Sequence, residues 1–82
     1  MVVPLPVMNA AAEFLASGDI LSLQAFERML SEAVAEAATG EQKAALLNEA
    51  VDGVRRLPGE NDRRLVVGDY VESLRRNLEG DE

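Results

Sequence analysis

The amino-acid sequence contains no cysteine and no histidine. Without cysteine there is no disulfide bond and no thiolate metal site. Without histidine the chain lacks the side chain that most often serves as a general base or a transition-metal ligand. Lysine occurs once, as Lys43, so no nearby base can activate any of the serines as a nucleophile. We therefore expect no enzymatic activity, no metal and no cofactor.

Long apolar runs and nucleotide-binding motifs are missing as well. No phosphate-cradling glycine loop, dinucleotide fingerprint or calcium-loop spacing occurs. No stretch approaches the roughly 18 apolar residues that a membrane span needs. The apolar start at residues 1–8 lacks a basic leader and is broken by Pro4 and Pro6, which makes it a poor secretory signal. These features predict a cytoplasmic protein that does not associate with membranes.

Positive charge is scarce. Fifteen acidic residues against eight basic ones give a formal net charge of −7. Residues 1–52 hold eight acids and two bases, a balance of −6, whereas residues 53–82 hold seven acids and six arginines, a balance of −1. Because an acidic surface repels nucleic-acid phosphates and anionic lipids, we expect no direct binding to either.

Apolar residues recur with the spacing of amphipathic α-helices through most of the chain. The pattern predicts one all-α domain over residues 1–82, a compact antiparallel bundle because the predicted connections are short. The predicted helices are a short N-terminal one at about 7–17 and three longer ones at about 22–38, 41–57 and 61–79. Pro4 and Pro6 predict an extended arm at residues 1–6, and residues 80–82 should fray.

Capping and turn residues mark the predicted helix boundaries. Gly18 suits the left-handed position after the first helix, and Pro58-Gly59 ends the third. The candidate N-caps are Asp19 or Ser22 for the second helix, Thr39 with Gln42 three residues later for the third, and Asn61 or Asp62 for the fourth.

Each predicted helix has one apolar face, and these faces should form the core. Their residues are Met8, Ala11, Ala12 and Leu15; Phe26, Met29, Leu30, Ala33, Val34 and Ala37; Leu47, Ala50, Val51, Val54 and Leu57; and Val67, Tyr70, Val71, Leu74 and Leu78. Ile20-Leu21 and Leu65-Val66 lie partly outside these faces. They either close the ends of the bundle or form a patch that a second chain covers.

Three arginine pairs each follow an acidic residue by three and four positions. Asp52 precedes Arg55-Arg56, Glu60 precedes Arg63-Arg64, and Glu72 precedes Arg75-Arg76. On a helix these offsets allow intrahelical ion pairs. Alternatively, four of the arginines meet at the corner between the third and fourth helices and bind an acidic partner, because arginine makes bidentate contacts with carboxylates. The candidate partner-binding residues are Arg55, Arg56, Arg63, Arg64 and Tyr70.

These observations predict a non-catalytic protein–protein interaction module that occludes a surface of another protein. Small acidic helical proteins of this kind include antitoxins, immunity proteins, phage-encoded inhibitors and secretion co-chaperones, an analogy of class only. One alternative is a homo-oligomerisation or docking element in which the second and fourth helices pair with copies of themselves. Another is an acidic DNA mimic that inhibits a nucleic-acid-binding protein, with Glu32 and Glu36 as part of its row of carboxylates.

Overall fold

A computed structural model describes the backbone of residues 3–80 and the side chains of residues 3–78. Those residues form four α-helices and no strand. The helices are α1 (Leu5–Ser17), α2 (Ile20–Glu36), α3 (Gly40–Arg56) and α4 (Asn61–Gly80). The predicted all-α bundle of three longer helices and one shorter helix is confirmed.

The bundle consists of two helical hairpins, α1–α2 and α3–α4, packed along a long axis of 37 Å. Both hairpin turns lie at the same end, because Arg63 at the start of α4 contacts Gly18 and the Gly59 backbone lies against Leu15. We call this end the turn end. The first residues of α1 and the α2–α3 connection lie at the opposite end, as the alternating direction of the four helices requires.

The first helix begins two residues earlier than predicted, so the extended arm does not include Leu5 and Pro6. Proline is tolerated in the first turn of a helix, where its missing N–H has no carbonyl partner in any case. Pro4 remains extended and precedes the helix, with a ψ of 140°. Val3 is buried in the core. Residues 1 and 2 of the predicted arm, and residues 81 and 82 of the predicted tail, lie outside the described part of the chain, whereas Gly80 belongs to α4.

The N-cap of α2 is Asp19 and not Ser22. The Asp19 carboxylate accepts a hydrogen bond from the backbone N–H of Leu21, which starts the helix at Ile20. Ser22 is buried and donates its hydroxyl hydrogen bond to carboxylates, with Glu13 Oε2 at 3.1 Å. At α3, Thr39 accepts from the N–H of Gln42 as predicted, while the Gln42 side chain accepts from the N–H of Ala38.

The second and third helices end slightly earlier than predicted, at Glu36 and Arg56. Their C-cap residues, Ala37 and Leu57, have extended backbone with ψ values of 140° and 142°. For Leu57 the cause is Pro58, because a residue that precedes proline is driven out of the helical region.

The core runs the length of the bundle and contains most of the predicted apolar residues. Its largest fully buried side chains are Phe26, Leu15, Leu30, Leu47, Val7, Val67 and Val71. Met8 and Ala12 are only half-buried, while Phe14 and Leu46, which lie outside the predicted faces, are buried. The buried face of α1 consists of Val7, Ala10, Ala11, Phe14 and Leu15 and is thus rotated from the predicted one toward Val7, Ala10 and Phe14.

Gly59 lets the two hairpins approach closely at the turn end. Its φ is 150°, a conformation that L side chains rarely adopt. A Cβ atom at this position would lie 2.6 Å from Leu15 Cβ and 2.7 Å from the Leu15 carbonyl oxygen. The α3–α4 turn can therefore pack directly on the end of α1 only if this residue is glycine.

Candidate partner-binding surface

Two of the predicted partner-binding arginines, Arg63 and Arg64, donate hydrogen bonds to backbone carbonyl oxygens at the C-terminal ends of other helices. Arg63 donates from Nη1 to the carbonyl oxygen of Leu15 in the last turn of α1, at 3.0 Å. Arg64 donates from Nε to the carbonyl oxygen of Val54, at 3.3 Å, and from Nη2 to that of Leu57. The last carbonyls of a helix have no intrahelical partner and carry partial negative charge, so a cation there stabilises the helix end.

Lys43 does the same at the opposite end of the bundle. Its Nζ lies 2.6 Å from the carbonyl oxygen of Val34, in the last turn of α2. The C-terminal ends of α1, α2 and α3 are thus each bound by a cation from a later segment. The sequence reasoning missed this arrangement. For Arg64 and Lys43 the sequence signal is a basic residue shortly after the end of the helix that it binds, whereas the Arg63 contact with α1 has no such signal.

The predicted intrahelical ion pairs form in part. Glu72 and Arg75 lie 3.2 Å apart, and Glu60 and Arg63 lie 3.9 Å apart at the limit of an ion pair. Asp52 makes no ion pair within the residues that the structure describes. Exposed pairs of this kind contribute about 0.2 to 0.5 kcal/mol each. The carbonyl contacts of Arg63 and Arg64 therefore matter more to the fold than their acidic neighbours do.

Arg55 and Arg56 are exposed near the end of α3 but point to different sides. Arg55 lines a cleft between α3 and α4. Arg56 lies beside Val3 and Met8, on the side that faces α1. Neither side chain makes a hydrogen bond or ion pair within the described residues. The four arginines therefore do not form a single cluster, and the two exposed ones are those available to a partner.

Tyr70, the fifth predicted site residue, is half-buried between α4 and α2. Its hydroxyl donates to the carbonyl oxygen of Glu27 at 2.9 Å, and its ring meets Phe26 edge to face with centroids 6.3 Å apart. Burial raises the pKa of the Tyr70 hydroxyl above its ordinary value, and the Glu27 carboxylate raises it further, against a hydrogen bond from Ser31 that lowers it. These contacts give Tyr70 a role in joining α2 to α4, and its contact with a partner stays a prediction.

Large apolar side chains are exposed at the turn end. Leu21 is 73% exposed, Ile20 58% and Val66 45%. These residues therefore do not close the end of the bundle, and their cover by a second chain stays a prediction. Ile20 and Leu21 follow Gly18, and Val66 is one helical turn from Arg63, whose guanidinium lies against Gly18, so these residues lie at the same end of the bundle. We call Ile20, Leu21 and Val66 the turn-end patch.

Leu65 is 65% exposed and lies on another side of α4. Successive residues of a helix are rotated by about 100°, so Val66 shares the α2-facing side with Arg63 and Tyr70, whereas Leu65 shares a side with Gly68 and Glu72. Leu65 borders the α3–α4 cleft, a space of about 290 Å³. Its apolar lining is Val51, Val54, Val67 and Val71.

A second cavity of about 350 Å³ lies between the start of α1 and the middle of α3. It is lined by Val3, Met8, Glu49, Asp52, Gly53 and Arg56. Glu49 Oε2 is buried beside it and has no hydrogen-bond partner among the described residues. Within the same residues, no three acidic side chains come together as a metal site would require.

Comparisons with known proteins give no family. A scan against protein-family models found no match, and no curated protein or solved structure matches the chain. Among the helices described for residues 3–80, none combines the length and the apolar character needed to cross a bilayer.

Proposed function

We propose that this protein is a non-catalytic binding module that docks on another protein through its turn end. The observation that carries the proposal is the turn-end patch, where Ile20 and Leu21 expose 58% and 73% of their surface and Val66 exposes 45%. An exposed apolar cluster on a small domain with a polar, acidic surface is typical of an interaction site.

The side chains at the turn end indicate which kind of partner would bind there. Buried aliphatic side chains supply most of the affinity in such interfaces, while charges on the rim select the partner. Arg55 and Arg56 are exposed near the same end. The partner is therefore a protein with an apolar depression and acidic residues beside it. By covering that depression, the module acts as an inhibitor or an adaptor.

The test is affinity capture from the source organism with three immobilised proteins: wild type, Leu21→Ser and Leu5→Ser. Leu5 is the matched control because it is 70% exposed, as Leu21 is 73% exposed, and it lies at the opposite end of the bundle. Full burial of a leucine side chain contributes about 1.5 to 3 kcal/mol. The captured protein should therefore bind Leu21→Ser at least about tenfold more weakly than the other two. Equal capture by all three proteins would contradict the proposal.

Salt dependence separates this proposal from the DNA-mimic alternative. An aliphatic interface responds weakly to ionic strength, whereas a mimic that binds a basic groove loses affinity steeply as salt rises. The cytoplasmic location predicted from the sequence belongs to the same proposal, and cell fractionation with an antibody to the protein tests it.

A further inference from the structure

We propose that Arg63 binds a carboxylate of the partner beside the turn-end patch, so that the partner presents an acidic side chain next to an aliphatic one. This inference rests on the proposed function, because it concerns the same surface, and it names the chemistry by which that surface selects its partner. To the exposed Arg55 and Arg56 it adds Arg63, which lies on the same side of α4 as Val66.

The fold holds the Arg63 guanidinium in one position. Its Nη1 donates to the carbonyl oxygen of Leu15 at 3.0 Å. Its planar group also lies against Gly18, where Nε, Cζ and Nη2 are each 3.1 Å from the point that a Cβ atom would occupy. A guanidinium that is fixed before binding loses little side-chain freedom when a ligand reaches it, which favours affinity.

The Nε–Nη2 edge of this guanidinium has no hydrogen-bond partner among the described residues. Glu60 approaches the edge from the solvent side, because its side chain is 70% exposed, but its Oε2 stays 3.9 Å from Nε, too far for a hydrogen bond. Because residue 18 is glycine, no Cβ atom covers the edge. The two parallel N–H groups on such an edge match the two oxygens of a carboxylate.

Arg63 lies beside the apolar side chains of the turn-end patch. Val66 follows it by three positions in α4, and side chains with this spacing are neighbours on a helix surface. Gly18, which the guanidinium contacts, is two residues from Ile20, a span of at most about 7 Å. One short segment of a partner can therefore place an aliphatic side chain on the patch and a carboxylate on Arg63.

The charge balance of the α3–α4 turn favours an acidic group. Residues 55–64 contain four arginines and two acids, a balance of +2, in a chain whose net charge is −7. The Arg63 side chain is only 29% exposed, so an ion pair formed there is screened less than one between fully exposed groups. Such a site selects a carboxylate over a neutral or cationic group.

Glu60 competes for this site within the chain. Its carboxylate lies nearest to the Nε–Nη2 edge of Arg63 and is displaced when another carboxylate binds. Glu60→Gln should therefore strengthen the binding of a carboxylate. The substitution leaves the hydrogen bond from Arg63 to Leu15 intact, so its effect reports recognition and not the structural role of Arg63.

NMR titration with two small probes tests the proposal. N-acetyl-leucine carries an aliphatic side chain and a carboxylate, and N-acetyl-leucinamide is its neutral analogue. The acid should shift the Nε–Hε signal of Arg63 and the methyl signals of Val66 with a millimolar Kd, and the amide should bind at least about threefold more weakly. Glu60→Gln should bind the acid about threefold more tightly than Asp62→Asn does. Asp62 is the matched control, because it lies in the first turn of α4 and makes no ion pair within the described residues.

Equal affinities for the acid and the amide would overturn the proposal, and so would an Arg63 signal that neither probe shifts. A Glu60→Gln protein that binds the acid no more tightly than Asp62→Asn would contradict it as well. If both probes shift the Val66 methyl signals equally, the patch binds aliphatic groups and only the role of Arg63 fails. Failure of the proposed function has a different signature, which is equal capture of the partner by the wild-type and Leu21→Ser proteins.

Discussion

Replacing Arg64 by methionine should destabilise the fold well beyond the loss of a surface charge. Methionine keeps most of the aliphatic stem but removes the guanidinium, which binds the carbonyl oxygens of Val54 and Leu57 and, at 2.7 Å, the side-chain oxygen of Asn61. Hydrogen bonds with a charged donor contribute about 1.5 to 3 kcal/mol. Because the site is partly exposed, water can replace some of them, and the expected loss is about 1.5 to 2 kcal/mol.

That loss is a large share of the stability of a domain of this size. At about 0.05 to 0.15 kcal/mol per residue, the whole chain has a free energy of unfolding of about 4 to 12 kcal/mol. Each kcal/mol shifts the Tm of such a domain by about 4 to 8 °C, so Arg64→Met should lower the Tm by about 6 to 16 °C.

Urea unfolding followed by far-UV circular dichroism measures the free energy of unfolding. Arg28→Met is the matched control, because Arg28 is exposed and makes no hydrogen bond or ion pair within the described residues. Its free energy of unfolding should stay within about 0.5 kcal/mol of wild type. If the two variants unfold at the same urea concentration, Arg64 does not stabilise the end of α3 as described.

Four further substitutions and one change of pH have expected outcomes. Gly68→Ala should raise the free energy of unfolding by about 0.5 to 1 kcal/mol, because the added Cβ meets no atom and alanine favours the helix. Gly59→Ala should lower the free energy of unfolding by about 2 kcal/mol or more, because the added Cβ would clash with the Leu15 backbone. Paired urea titrations measure both changes. Lys43→Met should lower the free energy of unfolding by about 1 kcal/mol, because the contact with the Val34 carbonyl oxygen is lost. Thr39→Ala at the N-cap of α3 should give a similar loss. A Lys43→Met protein as stable as wild type would contradict the stabilisation of the α2 end by Lys43. Tyr70 has a raised pKa in the fold, so its contribution to stability is fully present below the ordinary tyrosine pKa of about 10 and is lost as pH rises above it. Because Tyr70 is the chain's single tyrosine and tryptophan is absent, its phenolate absorbance reports this titration directly, and an unshifted midpoint would contradict the burial.

Most of the fold could be predicted because its determinants are local. The apolar spacing, Thr39 at an N-cap and Gly18 and Pro58-Gly59 at helix ends are properties of short segments, and the structure uses each as expected. The predicted start of α1, at about residue 7, is two residues too late because it rests on the tendency of Pro4 and Pro6 to extend the residues before them. A proline in the first turn is compatible with a helix, and the burial of Val7 and Phe14 adds apolar contacts that favour it.

The candidate site could be predicted only in part because its geometry depends on contacts distant in sequence. Arg63 binds the carbonyl oxygen of Leu15, 48 residues earlier, and no local sequence pattern predicts that contact. The local spacing pointed instead to Glu60, which lies 3.9 Å away. The exposure of Ile20, Leu21 and Val66 likewise depends on how the two hairpins pack, and no local sequence pattern predicts that packing.

Methyl NMR of the labelled protein, titrated with its captured partner, tests the binding surface most directly. The account predicts that the methyl signals of Ile20, Leu21 and Val66 shift or broaden first, while that of Leu5 at the opposite end stays unchanged. A footprint centred on the α2–α3 connection, around Ala37 and Thr39, would contradict it.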